Sequence, residues 1–135
     1  MKTLKTENNN TTLNMCLCKG RHEIPQAVEG SVFPTVIENM TETEMLEDYA
    51  FRKLWNACFK KYKAGECGYL RVADSWDGYD ETQLEIDEDV KLNLYVTGLT
   101  VALIAVLNVC RKEGIKVTLY HYNTESGDYF PQEVL

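Results

Sequence analysis

The chain reads as an α/β domain with a mostly parallel sheet, and three observations point that way. Apolar runs of strand length alternate with helical stretches along most of the 135 residues. Residues 92–122 run strand, tight turn, apolar helix, strand, which is a βαβ unit and obliges a parallel pair. Near the end, Asn123-Thr124-Glu125-Ser126-Gly127 is a turn between two runs that can pair as an antiparallel hairpin at the sheet edge.

The elements follow in order. Residues 1–13 are polar and Asn/Thr-rich and read as a loose tail; residues 14–135 read as a single domain, with no internal repeat. Leu13 to Cys18 is an apolar strand that empties into the polar loop Lys19-Gly20-Arg21-His22-Glu23. Val32 to Ile37 is a second strand, confined to an edge or a bulge by Pro34. Thr41 with Glu44 forms a capping-box pattern and opens the clearest helix. Acidic side chains crowd its first turns and Lys60, Lys61 and Lys63 its last, as the helix dipole prefers. Gly65 closes it.

Tyr69 to Val72 is a short strand, and Asp74 to Asp89 carries eight carboxylates in an exposed loop, with Gln83 to Ile86 adding an edge strand. Lys91 to Val96 turns nearly continuously apolar after Asn93, which predicts burial on both faces. Val101 to Lys112 is a helix, apolar almost all round, stopped by Gly114. Ile115 to Tyr122 is a further strand, and Asp128 to Val134 returns against it. The sum is a single three-layer Rossmann-like domain with an antiparallel C-terminal hairpin at the edge of a mostly parallel sheet.

Composition narrows the function. A hydrophobic content of 44% supports a packed core, and the formal charge of −7 argues against a face for duplex nucleic acid. No apolar run reaches the ~18 residues of a membrane span, so no membrane partner is expected. Five cysteines and a polar, apolar-poor beginning predict a cytoplasmic protein with reduced thiols. Metal is not expected: Cys16, Cys18 and His22 fit no zinc pattern, and Asp74, Asp77 and Asp80 lack the calcium-loop spacing. No other cofactor is expected either, since neither a P-loop nor a dinucleotide glycine motif is present.

Two strand exits could carry chemistry. In a βαβ unit the loop after the strand sits at the C-terminal edge of the sheet, where ligands of open α/β sheets bind. There Gly98 lets a ligand approach the backbone, and Thr97 and Thr100 offer hydroxyls beside a helix N-terminus. The plainer alternative is a helix cap at Thr100 and a turn at Gly98. The other exit places Lys19, Gly20, Arg21 and His22 after a buried strand. Arg21 can take a phosphate bidentately, and His22 is the side-chain type that exchanges protons near neutral pH. The alternative here is a solvated loop. His121 would share the crevice, on the opposite strand face from Tyr120 and Tyr122, unless it is a hydrogen-bonded structural residue.

The turn Val96-Thr97-Gly98-Leu99-Thr100-Val101, with Leu103, resembles the Thr-Gly-Gly-Thr-Lys segment of CRISPR-associated Rossmann-fold (CARF) domains and of small ring nucleases related to them. Leu99 stands where that family has its second glycine and Val101 where it has lysine, so the phosphate partner falls to Lys19 or Arg21. The resemblance covers chiefly Leu92 to Tyr122. It implies a homodimer that binds a cyclic nucleotide or cyclic oligoadenylate messenger in antiviral defence, or a viral protein that removes one. Where cleavage occurs in that family it can be metal-independent; His22 would then move a proton and Arg21 and Lys19 would hold phosphates. The competing expectation is a small acidic inhibitor that meets a protein partner through the segment 74–89, by imitating nucleic acid.

Overall fold

A computed structural model describes residues 11–20, 23–37, 41–63, 71–73, 83–85, 90–97 and 100–135. Its main sheet has five strands in the order β2-β1-β5-β6-β7. Strand β1 is Thr11–Cys18, β2 Ser31–Phe33, β5 Val90–Tyr95, β6 Lys116–Asn123 and β7 Asp128–Glu133. Among the described residues, helices α1 (Thr43–Lys63) and α2 (Thr100–Glu113) accompany it, and a separate antiparallel pair joins β3 (Arg71–Ala73) to β4 (Gln83–Glu85). Strands β2, β1, β5 and β6 are mutually parallel, and β7 runs antiparallel beside β6. The expected α/β class with a mostly parallel sheet is the one observed.

Strand β1 starts at Thr11, so three residues of the expected tail pair with β5 instead, Thr11 opposite Val90 and Leu13 opposite Leu92. Strand β2 stops at Phe33, because Pro34 has no N–H to continue a ladder. Helix α1 begins at Thr43; its first intrahelical bond runs from the Leu46 N–H to the Glu42 carbonyl at 3.1 Å. The cap therefore falls at Glu42, one residue after Thr41. Helix α2 ends in a Schellman turn. Gly114 takes φ +73°, and the Ile115 N–H reaches back to the Cys110 carbonyl at 2.9 Å.

Burial along β1 and β5 alternates. Leu13, Met15 and Leu17 of β1 and Val90, Leu92 and Leu94 of β5 are buried, and all six belong to one core with Val117 and Leu119 of β6. Both helices enter that same core, through Leu46, Ala50, Leu54 and Cys58 of α1 and Ala102, Ala105, Val106, Val109 and Cys110 of α2. They also touch each other: the Asn108 amide and the Lys112 ammonium both donate to Glu47, at 3.2 and 3.0 Å. The two helices thus share one face of the sheet.

After Asn93, β5 is buried on both faces as expected, through Leu94 and Tyr95; before that point Lys91 is exposed and Asn93 half-buried. A third layer would need a helix on the opposite face, and the described residues place none there. That face instead carries Asn14, Cys16, Asn93 and a group of tyrosines. Its near edge toward β7 includes Pro131, tolerated where no further strand follows.

Candidate functional site

The strand order reverses between β1 and β5. From β1 the chain moves outward to β2; from β5 it moves through α2 to β6 on the other side. Such a switch point leaves a crevice at the C-terminal ends of the two strands. The ends of the two strands are joined there. Thr97 Oγ1 donates to the Cys18 carbonyl at 2.7 Å and accepts from the Cys18 N–H at 3.2 Å. One hydroxyl therefore ties the end of β1 to the chain just past β5.

This bond changes the role of Thr97. Its oxygen already holds two backbone partners, so Thr97 fixes the crevice and is not a ready donor for a guest. Thr100 is the first residue of α2 and is exposed. It does not line the cleft described below. Gly98, Arg21 and His22 lie outside the described residues. His121 is engaged elsewhere: its Nε2 pairs with Gln132 Oε1 at 2.8 Å and its ring lies 5.3 Å from that of Phe130, both on β7.

Lys19 and Gly20 line a cleft of about 570 Å³ beside the β1 exit, together with Cys16, Glu23, Ile24, Pro25, Ala27, Gly30 and Ser31. Its volume falls within the range of small-molecule sites. The turn that shapes it is built by backbone bonds, from Ala27 N–H to the Ile24 carbonyl and from Gly30 N–H to the Ala27 carbonyl. Gly30 adopts φ +91°, a conformation other residues rarely take. Lys19 supplies a cation at the cleft and Glu23 an anion. The thiol of Cys16 has its pKa raised, chiefly by burial, so it is a poor nucleophile at neutral pH.

The sequence reading missed the aromatic neighbour of this cleft. Cys16 sits directly opposite Tyr95 in the β1–β5 register. Tyr95 stacks on Tyr120 at 4.8 Å between ring centroids and meets Tyr129 edge-on at 5.0 Å; Tyr122 meets Tyr129 at 5.3 Å. Tyr95 is buried, Tyr120 and Tyr129 are half-buried, and Tyr122 is exposed. Burial raises the phenol pKa of Tyr95 and Tyr129, which keeps both neutral near pH 7. Below them, Asn93 Nδ2 donates to Asn14 Oδ1 at 3.0 Å. The alternation in Tyr120-His121-Tyr122 did place both tyrosines on one face. Their union with Tyr95 and Tyr129 depends on register across three strands.

Among the described residues, no three His, Cys, Asp or Glu side chains gather as a metal-ligand group, and no helix is long and apolar enough to cross a membrane. Comparison with protein-family models, with curated proteins and with solved structures finds no match to this chain.

Proposed function

We propose that the chain binds a cyclic nucleotide or cyclic oligoadenylate at the crevice between the β1 and β5 exits. The observation that carries the reading is the Thr97–Cys18 bond pair, which joins the residue before Lys19 to the residue before Gly98. Lys19 meets phosphate there, joined by Arg21 from the same loop. The backbone at Gly20 admits close approach, and Thr100 offers its hydroxyl from the start of α2. The tyrosine group beside Cys16 gives bases an aromatic surface, and base–aromatic stacking contributes roughly 1–3 kcal/mol per base. The protein acts as a homodimer in the cytoplasm, in antiviral defence or in viral counter-defence, with the Rossmann-like sheet edged by the β6–β7 hairpin.

Where the bound ring is cleaved, the step is metal-independent. A ribose 2′-hydroxyl attacks its neighbouring phosphorus, the bond from phosphorus to the 5′ oxygen breaks, and a 2′,3′-cyclic phosphate forms. His22 takes the proton of the attacking hydroxyl and, as imidazolium, returns it to the departing 5′ oxygen, while Arg21 stabilises the charge on phosphorus.

Thermal shift against a panel of cyclic di- and oligonucleotides, followed by chromatography of the mixtures, tests this. The reading expects at least one stabilising ligand. If a ring is cleaved, His22→Ala lowers the rate while binding persists; an unchanged rate removes His22 from the mechanism. A flat panel favours the acidic inhibitor, whose activity would be lost on charge reversal of Asp77, Asp80 and Glu81. Those three residues lie outside the described ones.

A further inference from the structure

We infer that the side of α1 facing the β2 edge is the surface on which a second copy of this chain docks, with the two α1 helices antiparallel. Met45, Tyr49, Lys53, Asn56 and Lys60 follow one another at helical spacing along that side. At its N-terminal end lies an apolar groove of about 410 Å³ between Phe33, Val36, Met45 and Tyr49. Val36, Met45 and Tyr49 are 75%, 51% and 41% exposed there. At its C-terminal end lies a second groove of about 430 Å³, lined by Lys53, Asn56 and Lys60 with Val28 on its rim. Val28 is 71% exposed.

The two ends complement each other. A two-fold axis level with Phe51 sets Glu42 of one copy against Lys60 of the other, because both lie nine residues from it in opposite directions. The same axis sets the Tyr49 ring against Lys53, each two residues away, an arrangement suited to a cation–π contact. It also brings the projecting Val28 of each copy to the apolar groove of the other. Lys61 takes no part, since Glu29 holds it at 3.0 Å within the chain. The interface is isologous and closes on itself, as two-fold assemblies do. At 21 residues α1 is about 31 Å long, enough with the flanking β2 edge to reach the roughly 800 Å² per copy of a standard interface.

The inference shares the homodimer with the reading above and needs no nucleotide, so a flat ligand panel leaves it standing. Sedimentation velocity on the full chain at about 100 µM, a hundredfold above a micromolar dissociation constant, reads it directly. The wild type should sediment as a dimer, Lys60→Glu as a monomer, and Lys60→Glu with Glu42→Lys as a dimer again. Both sites are exposed, and circular dichroism melts of each variant verify folding. A monomeric wild type, or a Lys60→Glu protein as dimeric as the parent, overturns the inference; so does failure of the charge swap to restore assembly in a folded protein.

Discussion

Thr97→Val tests the junction on which the crevice depends. Valine keeps the volume and branching of threonine but can neither donate to the Cys18 carbonyl nor accept from the Cys18 N–H, so both bonds are lost in one substitution. A net hydrogen bond contributes about 0.5–1.5 kcal/mol, which sets the expected loss at about 1–3 kcal/mol. With unfolding entropy near 2.1 cal/mol/K per residue, a chain of this length loses roughly 4–11 °C in Tm. Thr97→Ser keeps the oxygen and both partners and should stay within about 1 kcal/mol of the wild type. Urea unfolding of the three proteins, monitored by tryptophan fluorescence, gives the comparison. If the valine protein unfolds within about 0.5 kcal/mol of the wild type, the bonds do not hold the two exits together and the reasoning fails.

Three further outcomes follow from the same geometry. Gly114→Ala places a Cβ at φ +73° in the turn that ends α2 and should cost about 1–2 kcal/mol in urea unfolding. The Cys110 thiol is pushed up to about 12, first by burial and then by Cys58 and Glu113, so in the native protein it should resist a thiol reagent at pH 8 and react only on unfolding, as peptide mapping would show. Glu47 has its pKa held below the usual 4.5, first by the Lys112 hydrogen bond and then by Asn108. A lowered folded-state pKa adds stability above the unfolded value and loses it as pH falls through the folded one. The stability gap between wild type and Glu47→Gln should therefore be full above the usual carboxylate range and shrink as pH falls below 4.5, and Lys112 is exposed enough to keep it under about 1 kcal/mol.

Much of the sheet was legible because local signals agreed with one another. The short connections around residues 92–122 fixed β5, α2 and β6 as consecutive neighbours, and Gly114 marked the helix end that the Schellman turn confirms. The face of the helices was harder to read. The uniform apolarity of α2 conceals which side is buried, and Ile104 remains 49% exposed while Ala102 and Val106 are fully buried. The bonds that Thr97 makes were not legible, since both partners come from Cys18, seventy-nine positions away. No local pattern reports a bond of that span. The same holds for Tyr95, Tyr120 and Tyr129, which become one aromatic group only when three strands take their register. His121, in contrast, has its hydrogen-bond partner in the very next strand, where the hairpin makes such a contact legible.

Titration calorimetry of the wild type and of Lys19→Glu against cyclic di- and oligoadenylates meets the central claim most directly. Lys19 is on the cleft and exposed, so reversing its charge leaves the core untouched. The account predicts saturable heat from at least one ring with the wild type and at least tenfold weaker binding with Lys19→Glu, a change of about 1.4 kcal/mol. No heat from any ring, or equal affinity in the two proteins, would contradict it.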